Sequence, residues 1–193
     1  MRHAAALLAC GLALAGCRPG NRPLATRLDP VLDSLTPGLR LGENAAAVAR
    51  KLPGFVLGQD RSFQTTVSNR LLDSATLSVF FEGAFSASGN APPPTLARLE
   101  AVQLTVRSDD QFARAVAAVA RWLPVRADTL CTGMPAGGQR SRVLRWQVGP
   151  TEMVVARPPA PGAPPAWLQI VTTSLASSND AAPRLAACGA KHP

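Results

Sequence analysis

The chain has 193 residues, with 20 lysine and arginine residues against 12 aspartate and glutamate residues, and a formal net charge of +8. This length suits one ordinary domain or two small packed units. The sequence contains two histidines, which excludes a histidine-rich zinc site, and it has no C-x-x-C, G-x-S-x-G, S-x-x-K or G-x-x-x-x-G-K-[ST] motif.

The first sixteen residues have the layout of a signal peptide. A charged start, Met1-Arg2-His3, precedes an uncharged apolar run from Ala4 to Ala15, as in exported precursors. The run is too short to cross a bilayer as a helix, which needs about 20 apolar residues. We therefore predict that residues 1–16 are an export signal.

The end of this run, Leu14-Ala15-Gly16-Cys17, resembles the lipobox of bacterial lipoproteins. The resemblance implies cleavage before Cys17 and lipid on its thiol, which anchors a protein without any spanning segment. Residues 17–28 would then be the lipidated cysteine and a flexible tether. Arg18, in place of an aspartate, implies the outer membrane, with the domain facing the periplasm. The alternative is an ordinary secretory signal.

Cleavage would leave 177 of the 193 residues, and loss of Arg2 would lower the net charge to +7. Such a charge favours anionic partners, but export argues against nucleic acid, and most arginines are scattered. A local cluster, Arg140, Arg142 and Arg145, begins a predicted strand. It is either a solvated sheet face or a contact for an anion or a partner protein.

Two further cysteines remain in the exported chain, Cys131 and Cys188. An even pair in an oxidising compartment favours a disulfide over two free thiols.

Residues 29–107 form the first predicted α/β unit. Asp29-Pro30 predicts the cap and first turn of a short helix, and Asn44 predicts the cap of a second helix from Ala45 to Leu52. Alternating apolar residues predict strands over 75–82 and 99–107, the second with Val102, Leu104 and Val106 on one face.

Residues 108–175 form the second predicted unit. Ser108 or Asp109 caps a helix that runs to about Trp122, with Gln111 on its outer side. Strands follow over 144–148, 153–156 and 167–173. Residues 176–193 are a small, polar C-terminal tail.

Together these elements predict an α+β fold: an antiparallel sheet with helices packed on one face. Both units follow the order helix, strands, proline-rich connection, strand. The sequence leaves open whether they are two tandem helix–strand units or one unrepeated domain.

The segment from Leu41 to Leu52 resembles the helix-start signature of the SmpA/OmlA lipoproteins, and of the β-lactamase inhibitory proteins that share their fold. Leu41, Gly42, Asn44, Val48 and Leu52 match the pattern, whereas Glu43, Ala47 and the late Gly54 depart from it. The resemblance implies helices on an antiparallel sheet that binds other proteins. It assigns no binding residue.

Catalytic chemistry has few candidates in this sequence. His192 is the single histidine left after cleavage, and it lies in the tail, where it cannot readily serve a catalytic triad. Asp109 and Asp110 suit the start of a helix, Glu82 and Glu100 suit exposed strand positions, and core packing is favoured over a ligand groove for Trp122, Trp146 and Trp167.

We therefore expect a lipoprotein with a binding or scaffolding domain for another envelope protein, without enzymatic activity, metal or cofactor. The alternative is a carboxylate-dependent periplasmic hydrolase acting on envelope glycan. That alternative requires a cleft with two acidic side chains within about 10 Å.

Overall fold

The computed structural model describes residues 27–56, 61–84, 92–132, 141–149, 152–161, 165–172 and 185–188. These ranges contain three α-helices: α1 (Asp29–Leu35), α2 (Ala45–Ala49) and α3 (Asp109–Trp122). None of these helices is long and apolar enough to cross a membrane.

Eight strands in the described ranges form one sheet. They are β1 (Ser62–Val67), β2 (Ala75–Phe81), β3 (Leu99–Val106), β4 (Asp128–Thr132), β5 (Arg142–Gln147), β6 (Glu152–Arg157), β7 (Trp167–Thr172) and β8 (Leu185–Ala187). Their order across the sheet is β1-β2-β3-β7-β6-β5-β4-β8. Every neighbouring pair is antiparallel, which confirms the predicted antiparallel sheet.

The sheet consists of two meanders joined at their last strands. β1, β2 and β3 follow one another along the chain and in space, as do β4, β5, β6 and β7. β3 and β7 then pair along the seam, with Leu104 opposite Leu168. The two predicted units therefore contribute to one continuous sheet.

The larger buried cluster contains side chains from all three helices and from one face of the sheet. Leu32 of α1, Val48 of α2 and Val119 of α3 are fully buried in it, together with Leu77 and Leu104 of the sheet. Because side chains alternate across a strand, the predicted face of β3 with Val102, Leu104 and Val106 enters this cluster.

The opposite face of the sheet carries a second, smaller apolar cluster. Its buried members are Ala101, Val143, Met153, Val155 and Val171. Phe80, Leu130 and Trp167 pack against it while partly exposed. Both faces of the central strands are therefore apolar, which explains why β2 and β6 contain consecutive buried residues.

The two longer helices begin differently from each other. The Ser108 hydroxyl accepts a hydrogen bond from the Gln111 N–H at 3.2 Å and so caps α3. α1 has Leu28 at its cap position, without a side-chain cap, and Asp29 is its first helical residue. The prediction that Asp29 caps α1 is therefore wrong, although its carboxylate still lies in the first turn, where it complements the helix dipole.

The segment that resembles the SmpA/OmlA signature forms a turn and a capped helix. Gly42 has a φ of +79°, a conformation that favours glycine. Asn44 Oδ1 accepts a hydrogen bond from the Ala47 N–H at 2.8 Å. Leu41, Val48 and Leu52 are buried in the larger cluster, so the matching positions are structural ones.

Cys131, on β4, and Cys188, directly after β8, lie at disulfide-bonding distance with their Cα atoms 5.0 Å apart. This is the pairing that the sequence predicted. It links the outermost strand β8 to the rest of the sheet.

Candidate binding cleft

One candidate site in the described part of the chain is a cleft where β3 ends and α3 begins, with a volume of about 450 Å³. One wall comes from Thr76, Thr105 and Val106 on β2 and β3, and a second from Arg107, Ser108 and Asp109. The third wall is the proline-rich connection between β6 and β7, which contributes Pro159, Ala160, Pro165 and Ala166.

Hydrogen bonds fix the corner of the cleft where the chain turns from β3 into α3. Gln111 Oε1 accepts a hydrogen bond from the Arg107 N–H at 3.0 Å, and Gln111 N–H donates to Ser108 Oγ. Gln111 is buried as a result, so the prediction that it lies on the outer side of α3 is wrong. The two bonds also satisfy N–H groups that would otherwise be free at this helix end.

The proline wall is held to the sheet by Arg157 and Trp167. Arg157 Nη2 donates to the Pro165 carbonyl at 2.6 Å, and its guanidinium carbon lies 5.6 Å from the centre of the Trp167 ring. Burial lowers the pKa of Arg157 from its ordinary value. Its Nε is buried and has no hydrogen-bond partner, so this arginine positions Pro165 at the cost of one unsatisfied donor.

The cleft suits recognition of a peptide better than acid–base chemistry. Its lining combines two threonine hydroxyls, apolar proline and alanine surfaces, one guanidinium and one carboxylate. Hydroxyls and single charges orient a bound chain, while the apolar walls supply contact area. Two carboxylates facing each other, as in glycosidases, are not found in this lining.

Two arginines of the predicted cluster, Arg142 and Arg145, lie within the described residues, both on β5. Arg145 lies on β5, where its Nη2 contacts Asp128 Oδ2 on β4 at 2.9 Å. Arg142 is exposed at the start of the same strand. Three positions separate the two arginines, so they point to opposite faces. Arg140 lies outside the described residues, as does the predicted lipidation site Cys17.

The acidic residues considered for catalysis lie in two places, Asp109 and Asp110 at the start of α3 and Glu82 and Glu100 where β2 pairs with β3. Asp109 lines the cleft, whereas Asp110 is exposed in the same first turn of α3. Glu82 Oε2 accepts a hydrogen bond from the Arg98 N–H at 3.1 Å, and Glu100 lies half-buried on β3. None of the three described cavities is lined by two of these carboxylates.

A different group of carboxylates surrounds Arg40. Its guanidinium contacts Asp29 at 3.7 Å and Asp33 at 2.8 Å, and its main-chain N–H donates to Glu43 Oε2 at 3.2 Å. Lys51 forms an ion pair with Glu43. The hydrogen bond that the Arg40 guanidinium donates to Asp33 raises the pKa of Arg40 above its ordinary value. These carboxylates form ion pairs with Arg40 and Lys51 of the same chain and so connect α1 to the segment around α2.

One of the three tryptophans, Trp122, departs from the core packing that the sequence favoured, while Trp167 is half-buried and packs against the smaller apolar cluster. Trp146 is buried, as predicted. Trp122 is 47% exposed at the end of α3, so core packing was wrong for it. Trp167 is half-buried beneath Arg157 beside the cleft.

The cleft could not be read from the sequence because its walls come from three distant segments. The one local signal is the run of prolines between residues 158 and 165, which predicted a surface connection. Within the described residues, no group of three or more histidine, cysteine, aspartate or glutamate side chains is placed to hold a metal ion.

Comparison with protein families, curated proteins and solved structures finds no match for this chain.

Proposed function

We propose that this chain is an outer-membrane lipoprotein whose periplasmic domain binds or scaffolds another envelope protein. The observation that supports the proposed membrane location is the Leu14-Ala15-Gly16-Cys17 sequence at the end of an apolar leader. Lipid on Cys17 anchors the chain in this proposal. The disulfide-distance pair Cys131 and Cys188 supports it, because such pairs persist in oxidising compartments.

The cleft beside α3 is the binding site in this proposal. Its mixture of threonine hydroxyls, proline surfaces and single charges fits a peptide segment of a partner. The carboxylate-dependent hydrolase receives no support from the cleft, which has Asp109 as its one acidic side chain.

The fold proposed for this function is a sheet with all helices on one face, arranged as two tandem helix–strand units. Support comes from the cluster in which α1, α2 and α3 share buried contacts with one side of the sheet. The seam between β3 and β7, which are the last strands of the two meanders, is what two such units would produce. The likeness to the SmpA/OmlA lipoproteins is part of the same proposal.

The anchor is tested by mass spectrometry of the N-terminal peptide from the native, membrane-extracted protein. We expect a peptide that begins at Cys17 and carries a thioether-linked diacylglycerol. An unmodified residue 17, or a leader that is still attached, contradicts the anchor.

The binding site is tested by cross-linking in intact envelopes with the full chain and two charge-reversal variants. Arg107→Glu changes an exposed cleft residue, and Arg126→Glu changes an exposed arginine that does not line the cleft. We expect the wild type and Arg126→Glu to capture the same partner, and Arg107→Glu to lose about 90% of it, since unfavourable charge at an interface weakens binding. Equal capture of the partner by all three proteins contradicts the proposal that the cleft is the binding site.

A further inference from the structure

β1 is an edge strand among the described strands, and one row of its main-chain groups faces away from the sheet. Phe81 N–H donates to the Arg61 carbonyl at 2.8 Å, and Ser62 pairs with Phe80 in the register. Because hydrogen-bonded and non-bonded pairs alternate along an antiparallel ladder, the main-chain groups of odd-numbered residues face β2. The N–H and C=O groups of Ser62, Gln64 and Thr66 therefore point away from the sheet, and no described strand pairs with them.

Within its own described residues, β1 has no charge, proline or bulge that would block pairing at a sheet edge. Its sequence Ser-Phe-Gln-Thr-Thr-Val contains no charge and no proline, and its pairing with β2 is regular from Ser62 to Val67. Natural edge strands are commonly protected by lysine, proline, a bulge or short length. The opposite edge, β8, is only three residues long, so β1 is the edge that is open to pairing.

A groove of about 340 Å³ runs beside β1 on the side of the helices. It is bounded by Thr65, Thr66 and Val67 on the strand and by Thr36, Pro37, Lys51, Leu52 and Pro53 around the ends of α1 and α2. A strand added to β1 would place every second side chain on this side of the sheet. The groove therefore offers room for those side chains.

The surroundings of this edge are positively charged. Arg50, at the end of α2, and Arg70, shortly after β1, are both exposed, and neither forms an ion pair with a described residue. Two of the described acids near this edge already form ion pairs, Glu43 with Lys51 and Asp73 with Arg114. An extended segment with acidic residues at its ends would complement this charge.

We propose that β1 is a docking edge to which a partner protein adds an extended, acidic segment as a further strand. Main-chain hydrogen bonds to Ser62, Gln64 and Thr66 would supply affinity. The groove would select side chains, and the exposed Arg50 and Arg70, each next to a groove residue in the chain, would select charge. This site lies on β1, separate from the cleft beside α3. It rests on the proposed function only in that the ligand is a protein segment.

The decisive variant is Gln64→Pro in the full chain. Gln64 is exposed and its N–H points outward, so proline removes one docking donor without breaking a bond to β2. Gln64→Thr is the matched control, because it changes the same side chain and keeps the N–H. Circular dichroism and thermal unfolding establish that both variants fold.

The probe is a synthetic peptide of alternating threonine and valine with two glutamates at each end, followed by fluorescence anisotropy. We expect wild type and Gln64→Thr to bind alike and Gln64→Pro to bind at least about tenfold more weakly. The same peptide with N-methyl groups on alternate residues, which cannot form a ladder, should not bind, and a lysine-ended peptide should bind more weakly. Hydrogen exchange should show protection of the Ser62, Gln64 and Thr66 amides on binding.

Several results would overturn this proposal. Equal binding of the peptide by folded Gln64→Pro, equal binding of the N-methylated peptide, or no binding by the wild type would each do so. Concentration-dependent dimerisation that Gln64→Pro abolishes would assign the edge to a second copy of the chain instead. Failure of the envelope cross-linking at Arg107 would leave the peptide result intact, so the two proposals fail separately.

Discussion

At the scale of single residues, Glu152 is a carboxylate whose charged form is destabilised by partial burial. It is half-buried at the start of β6, and burial raises its pKa above the ordinary value, although a hydrogen bond from the Arg27 main chain opposes the shift. A carboxyl group whose pKa is higher in the folded state binds more protons there. Its contribution to stability is therefore lost as pH rises from the unfolded-state value of about 4.3 through the higher folded-state value.

We therefore predict that Glu152→Gln raises the free energy of unfolding at pH 7, by less than about 1 kcal/mol because the group is only partly buried and solvent screens its charge. The difference from wild type should shrink as the pH falls toward about 3, where the carboxyl is largely protonated in both states. Urea unfolding at several pH values measures it. Asp110→Asn, which removes a helix-start charge, should be neutral or slightly destabilising instead. A Glu152→Gln protein less stable than wild type at pH 7 would contradict the prediction.

Two helix caps could be predicted from the sequence, because the N–H group that binds each capping side chain is close in the chain. Asn44 and Ser108 both cap helices as predicted, because the N–H that each accepts lies three residues ahead. Gln111 and Trp122 were misread for the opposite reason. The first turns back to the main chain of Arg107 and is buried, and the second stays exposed at a helix end. Neither outcome follows from helical periodicity.

At the scale of secondary-structure elements, β3 organises the core. Leu104 on this strand is fully buried and lies between Leu77 of β2 and Leu168 of β7 in the register. We predict that Leu104→Ala lowers the free energy of unfolding by about 2–5 kcal/mol, the usual cost of a cavity at a buried leucine. Chemical denaturation monitored by circular dichroism measures the loss.

Leu96→Ala provides the matched comparison, since it is the same substitution at a side chain that is 67% exposed. It should change stability by no more than about 0.5 kcal/mol. Similar losses for both variants would mean that Leu104 does not lie in the packed core.

The strands with an uninterrupted run of apolar residues at alternate positions were predicted, and those without such a run were missed. The alternation in Val102, Leu104 and Val106 gave β3 nearly to its ends. β1 was not predicted, because its inward positions hold Phe63, Thr65 and Val67, which are only half-buried at an edge. β4 and β8 were also missed. β4 begins with a charged residue and β8 has three residues, so neither carries a pattern long enough to read.

At the scale of the whole molecule, the order of the strands could not be predicted from the sequence. Apolar patterns define which residues face a core, but they do not state that β3 pairs with β7 rather than with β4. The cleft beside α3 depends on that pairing, because it brings the connection between β6 and β7 next to the end of β3. The site was therefore unpredictable for the same reason as the topology.

The disulfide between Cys131 and Cys188 connects β4 to β8, the short strand at the edge of the sheet. β8 pairs only with β4, over three residue pairs, and the two cysteines are 57 positions apart. A closed loop of that length stabilises a fold by roughly 4 kcal/mol in the chain-entropy model. We predict that the double variant Cys131→Ser/Cys188→Ser loses up to about 4 kcal/mol of unfolding free energy while keeping its sheet content.

The loss of local stability should be greatest in the two strands that the disulfide connects. Hydrogen exchange in the double variant should accelerate first at the amides of β4 and β8, while those of β3 and β7 at the centre of the sheet keep their relative protection. Wild-type protein treated with a reducing agent is the control, and it should behave like the double variant. Unchanged stability in both, or two free thiols in the non-reduced wild type by mass spectrometry, would contradict this account, because the outer strands would then be held by their hydrogen bonds alone.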